Sequence, residues 1–258
     1  MLNLIKYEFL GKYKAFGIVV IASLVLNIGL LFTVGSWNDI GILMLSICIG
    51  VGAGIANLIF SIGIFSEDIY EDKGYLTFTL PQNGYFILIS KLIIAIIFYI
   101  LTTIIESVFL VHFIYNISQV REGLDTIGVK INVTSLGIEN VISGAIGFCL
   151  LLCMIYFAIS ITKLAVTKKR GGKFLAFIVF LIIGGLYIAG NWCLEKVLPQ
   201  TFYINVFQSV SGTISNNASL GNLVKGLPVN IAGMVYELVV LIVLFIATAN
   251  IIEKKLDL

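Results

Sequence analysis

Apolar and polar positions fall in long blocks along this chain. Six apolar runs, over about 15–34, 40–65, 92–113, 141–162, 174–194 and 231–252, each approach the ~20 residues that a membrane-spanning helix needs. The link from Gly35 to Asp39 is short, so the first two runs form a tight hairpin with Trp37 at the membrane interface. Residues 2–14 follow another pattern. Leu2, Ile5, Phe9 and Tyr13 share one helical face, while Lys6, Lys12 and Lys14 reach for lipid headgroups. That stretch is too charged to span and reads as an amphipathic helix lying flat on the inner surface. The segment 66–91 is the longest polar interruption in the front half, and it begins as a short helix. Ser66 caps that helix, Glu67 and Asp68 suit its positive end, and Gly74 closes it. The segment 195–230 is too apolar for an ordinary loop. It reads as two short helices dipping into the outer leaflet, or as a cap on the outer surface. The pattern therefore predicts an all-α integral membrane protein, with residues 1–258 forming one transmembrane domain of six helices.

Composition sharpens this picture. Charged residues make up 12% of the chain, about half the share of a soluble domain. Little mass is left for a domain outside the bilayer, and a net charge of +2 gives no signal of nucleic-acid binding. The first apolar run is long enough to span and lacks a small-residue cleavage site, so no removable signal segment is expected. With both termini inside, twelve of the sixteen Lys and Arg residues lie in inner segments and four (Arg121, Lys130, Lys196 and Lys225) in outer ones. The excess of inside charge puts 66–91 in the cytosol. Cys48, Cys149, Cys153 and Cys193 all fall in or beside apolar runs and read as packing residues.

Most enzyme chemistry is missing. No Gly-x-x-x-x-Gly-Lys-Ser/Thr string occurs, and Gly171-Gly172-Lys173-Phe174 lacks both the spacing and the hydroxyl. The one histidine, His112, excludes histidine-based metal clusters, and no metal site is expected. No cofactor is expected on this chain, and any ATP with its magnesium belongs to another polypeptide.

The loop is unusual in its aromatic content. Glu67, Asp68, Tyr70, Glu71 and Asp72 precede Gly74-Tyr75-Leu76-Thr77-Phe78-Thr79-Leu80-Pro81, so apolar side chains crowd beside four acids. A mere connection does not need such surface, which reads either as a docking element for a soluble partner or as aromatics resting at the lipid interface. The string 67–81 followed by Ser90-Lys91 resembles the first cytosolic loop of bacterial ATP-binding-cassette (ABC) exporter permeases of the six-span, type V-like kind. The first nine residues and Glu253–Leu258 are also similar to that family. Lys73 stands where the family commonly carries an acid before the glycine. The resemblance implies a coupling helix between spans 2 and 3 that docks an ABC ATPase subunit through Glu67, Asp68, Tyr70, Glu71, Asp72, Gly74, Tyr75, Phe78 and Pro81. It also implies a second permease subunit, in a homodimer or related heterodimer, export of a peptide or amphiphilic compound, and residence in the bacterial cell membrane with lipid around the spans. Re-entrant helices between spans 5 and 6 fit the same family.

Polar residues inside the spans are the remaining candidates. Glu106 and Glu237 are intramembrane acids, costly there and therefore suggestive of a pathway, or else solvated in a wet vestibule. If adjacent, the two carboxylates would share a proton or a cation. Asn27 and Asn57 add amides to spans 1 and 2 as interhelical hydrogen bonders or path residues. Gly50 and Gly54 form a small-xxx-small pair that packs either within the chain or against a second subunit. Two other readings stay open: an ion-coupled secondary transporter or channel using Glu106 and Glu237, and a non-transporting immunity or sensor protein.

Overall fold

The computed structural model describes residues 2–70, 84–116, 129–131, 133–165, 169–198, 201–204, 207–209 and 227–255. Six long helices dominate: α1 (Leu2–Leu31), α2 (Asp39–Tyr70), α3 (Gly84–Asn116), α4 (Val133–Ala165), α5 (Lys169–Val197) and α6 (Ile231–Lys255). All six are long and apolar enough to cross a membrane. Their surface requires an apolar solvent. On α5 alone Phe174, Phe177, Leu181, Leu186, Ile188 and Trp192 are exposed, far beyond the apolar patches that a water-soluble monomer presents.

The helix ends follow local chemistry. The turn between α1 and α2 passes through Gly35 at φ +86°, a left-handed conformation that glycine adopts without a Cβ clash. Asn38 then opens α2 by accepting from the Ile40 amide through Oδ1 at 3.3 Å. Asn230 opens α6 in the same way, its Oδ1 accepting from the Ala232 and Gly233 amides at 2.9 and 3.3 Å. The fifth helix stops at Val197, just before Pro199, whose ring disfavours helical geometry in the residue preceding it.

α3 and α4 form the centre of the bundle. α3 packs against α1, α2, α4 and α6, and α4 also meets α2, α5 and α6. The main core gathers Phe65, Leu88, Leu92, Leu152, Tyr156, Leu244 and Ile252. A second cluster, Phe16, Ile64, Ile94 and Phe98, joins the first three helices, with the Phe16 and Phe98 rings stacked at 3.9 Å. A third, Leu30, Ile42 and Phe113, closes the end near the α1–α2 turn.

Three expectations change. Residues 2–14 do not form a separate flat helix, because α1 is unbroken from Leu2 to Leu31. Phe9 stacks on Phe98 at 5.4 Å and Lys12 bonds Glu67, so this segment is drawn along the bundle rather than away from it. Ser66 does not start a helix, since α2 continues through it to Tyr70, and α3 begins at Gly84, eight residues before the expected span. The expected short helices in 195–230 give way, at the described residues, to strands. Strand β2 (Thr201–Ile204) pairs antiparallel with β4 (Leu227–Asn230), and β1 (Val129–Ile131) pairs antiparallel with β3 (Phe207–Ser209). Thr201-Phe202-Tyr203-Ile204 is β-branched and aromatic, a composition that favours extended backbone. The β1–β3 ladder ties the connection between α3 and α4 to that between α5 and α6, so both lie at one end of the bundle.

Candidate functional site: a polar seam between the first helices

α2 carries Ser46, Gly50, Asn57, Ser61 and Asp68 at alternating spacings of four and seven. That spacing keeps them on one helical face. Opposite them α3 presents Lys91, Thr102 and Glu106, and α1 adds Ser23 and Asn27. Ser23, Asn27, Ser46, Asn57, Ser61, Lys91 and Thr102 are all buried. Buried polar groups are costly in an apolar bundle unless they are hydrogen-bonded, to one another or to the backbone.

The layer around Glu106 joins three helices. Asn27 Nδ2 donates to Glu106 Oε2 at 3.0 Å and to the Ser23 carbonyl at 3.0 Å. Ser46 Oγ donates to Asn27 Oδ1 at 3.4 Å. Glu106 Oε1 is buried and has no hydrogen-bond partner among the described residues. Gly50 borders this carboxylate, and a Cβ there would lie 3.6 Å from Glu106 Oε2, an ordinary contact distance. A cavity of about 330 Å³ opens alongside, lined by Gly50, Val51, Ala53, Gly54, Tyr99, Thr102, Thr103 and Glu106.

Next comes Asn57, whose Nδ2 donates to Thr102 Oγ1 at 2.7 Å. Its Oδ1 is another buried acceptor without a partner among the described residues. Ser61 Oγ donates back to the Asn57 carbonyl at 2.7 Å, and the Tyr156 hydroxyl donates to the Ser61 carbonyl at 3.0 Å. Tyr156 also stacks on Phe65 at 4.1 Å, which fixes α4 against α2.

The seam ends at two ion pairs. Lys12 Nζ reaches both carboxylate oxygens of Glu67 at 2.7 Å, joining α1 to α2. Lys91 bonds Asp68 and joins α3 to α2. The Lys91 side chain is only 2% exposed and that of Asp68 20%, whereas Lys12 and Glu67 are each 33% exposed. Sequence reading placed Lys91 in a cytosolic loop and missed its burial. Its separation of seven from Phe98 and eleven from Thr102, both buried, was the available signal.

The expected site residues therefore divide. Asn27 and Glu106 come together, Gly50 borders them, and Asn57 lies in the neighbouring layer. Gly54 lines the same cavity, and nothing within the chain lies within 4 Å of a Cβ built on it. Glu237 has different surroundings, with Oε1 3.7 Å from a Cβ built on Gly147 of α4. No described contact joins it to Glu106, so the geometry offers no shared two-carboxylate site. Glu67 and Asp68 are engaged with cations of their own chain. Tyr70 closes α2, while Glu71, Asp72, Gly74, Tyr75, Phe78 and Pro81 lie outside the described residues. Among the described residues no His, Cys, Asp and Glu cluster could hold a metal. The four cysteines are free, and Cys48 and Cys193 are exposed on the bundle surface rather than packed inside.

Six spanning-length helices with lipid-compatible faces and a buried polar interior define a multi-pass membrane protein. Comparison with known protein families, curated proteins and solved structures finds no match.

Proposed function

We propose that the chain is the permease subunit of an ATP-driven exporter in the bacterial cell membrane, with both termini in the cytosol. A separate ABC ATPase binds ATP and its magnesium and docks on the loop between α2 and α3. A second permease subunit, identical or related, completes the assembly, and the cargo is a peptide or an amphiphilic compound. The supporting observation is the pair of ion pairs at the foot of the first three helices, Lys12–Glu67 and Lys91–Asp68. Both acids sit in the last turn of α2, directly before the loop. A force applied to 71–83 is thereby delivered to α1, α2 and α3 together instead of bending the end of α2 alone. In this reading Glu67 and Asp68 are positioning residues, and the aromatic surface of Tyr75 and Phe78 makes the contact. The polar seam above them supplies side chains that a passing polar group can bond in place of water.

The test is the double variant Tyr75→Ala/Phe78→Ala, expressed with the ATPase from the neighbouring reading frame. The expected result is loss of the ATPase on purification, or hydrolysis without transport, while all six helices still insert. Normal co-purification together with normal coupling would sink the proposal.

A further inference from the structure

We infer that the groove between α2 and α5, floored by α4, holds one acyl chain of an anionic glycerophospholipid whose phosphate lies at the basic segment 163–173. α4 packs against both α2 and α5, and between those two helices a cavity of about 600 Å³ remains. Leu58, Ile62 and Ser66 line it from α2 at steps of four. Leu151, Ile155 and Ile159 do the same from α4, so each helix gives one straight wall. Eight residues of helix make either wall about 12 Å long. Ser66 is the one polar residue among the described lining residues, and it stands at the end nearer the chain termini. Inside a bilayer such a groove takes hydrocarbon. Water finds almost nothing there to bond, and an empty groove forfeits dispersion contacts along every wall. Phe177 of α5 is 56% exposed, so the groove is open to the bilayer on that side.

The third wall supplies the charge. Ala176, Phe177 and Phe180 line the groove three, four and seven residues after Lys173, and Lys169 and Arg170 continue that stripe of α5 to its start. On α4, Lys163 follows Ile159 at a step of four. The segment 163–173 holds five basic residues and no acid. Glu67 and Asp68, which follow Ser66 on α2, are paired with Lys12 and Lys91. Lys and Arg clustered at the end of a spanning helix attract anionic lipid by about fivefold in affinity per residue. Membrane topology accounts for positive charge on this side. It does not account for a hydrocarbon-lined groove in register with that charge. A second copy of the chain fits the groove less well. A twofold contact is self-complementary, and here it would set two five-cation segments against each other. The inference does not rest on an exporter function.

The experiment uses the full chain in phosphatidylcholine vesicles and reads tryptophan fluorescence. Trp37→Phe and Trp192→Phe remove both native indoles. One reporter is then introduced, either Phe177→Trp in the groove or Ile178→Trp. Ile178 is the next residue, at the same depth but on another side of α5, and it is 37% exposed. Phosphatidylglycerol with brominated chains is added as a minor component, and brominated phosphatidylcholine serves as the reference. At Phe177→Trp the brominated phosphatidylglycerol should quench with an apparent affinity at least about fivefold above the reference, the share of one basic residue. At Ile178→Trp the two lipids should quench alike. Lys169→Gln/Arg170→Gln/Lys173→Gln should bring the preference at Phe177→Trp close to one. High salt should lower it without any substitution, so the inference remains testable if that triple variant fails to insert. Equal quenching by the two lipids at Phe177→Trp would overturn the inference. So would an equal preference at both reporters, which marks general surface attraction, or a preference that survives both the triple variant and salt. Shielding of Phe177→Trp from both lipids would show protein, such as a second copy, in the groove, and would overturn it as well. None of these outcomes depends on whether an ATPase docks at 71–83.

Discussion

Replacing Asp68 by alanine takes the carboxylate away from the Lys91 ammonium, whose side chain is 2% exposed. Removing one partner from a buried ion pair costs about 3–5 kcal/mol, because the remaining charge stays in a low-dielectric setting. Asp68 is itself 20% exposed, so water reaches the vacated site and the lower end, about 3 kcal/mol, is expected. Lys91→Met removes the buried charge as well. The double variant Asp68→Ala/Lys91→Met should therefore be more stable than Asp68→Ala alone, by about 1 kcal/mol or more. The Lys12–Glu67 pair is the internal control. Both side chains are 33% exposed, so either alanine variant should cost no more than about 1 kcal/mol. The assay is reversible unfolding of the purified chain in mixed micelles titrated with a denaturing detergent, followed by helix content. Strictly additive costs for Asp68→Ala and Lys91→Met, or equal costs at Asp68 and Glu67, would refute the claim that burial sets the strength of this pair.

Other positions give sharp contrasts. A Cβ at Gly84 would meet the Ala249 carbonyl oxygen at 2.9 Å and the Glu253 nitrogen at 3.0 Å, both backbone atoms of α6. Gly84→Ala should then cost about 1–3 kcal/mol by forcing α3 from α6, while Gly54→Ala should be nearly neutral in the same unfolding assay. Tyr156→Phe loses the bond to the Ser61 carbonyl but keeps the stack on Phe65, for roughly 0.6 kcal/mol. Tyr156→Ala empties a fully buried site and should cost about 3–5 kcal/mol. If subunits meet at the small residues of α2, Gly54→Leu should lower the dimer yield in size analysis more than a Leu placed on another face of α2. Equal yields would leave packing within the chain as the role of this pair.

Much of the architecture was legible before any folding. Six apolar blocks fix six spanning helices because hydrocarbon leaves no other way to satisfy so many backbone groups, and this constraint acts on each block by itself. The hairpin at Gly35, and the grouping of 115–140 with 195–230 at one end, follow from the same block order. The α2 face of Ser46, Gly50, Asn57, Ser61 and Asp68 was also present in the spacing, although only Gly50, Asn57 and Asp68 were singled out, and not as members of one face. What one chain segment could not reveal was its partner. Whether Glu67 and Asp68 end a helix or begin one depends on Lys12 and Lys91, which lie 55 and 23 residues away and arrive only when α1 and α3 pack beside α2. The flat helix expected at 2–14 became part of α1 for a similar reason, because Phe98 and Glu67 offer Phe9 and Lys12 better contacts than a surface position does. Glu106 and Glu237 looked equivalent as lone acids in apolar runs. Tertiary packing gave one of them Asn27 and a cavity and placed the other against Gly147, because hydrogen bonding and desolvation depend on neighbours across helices rather than along the chain.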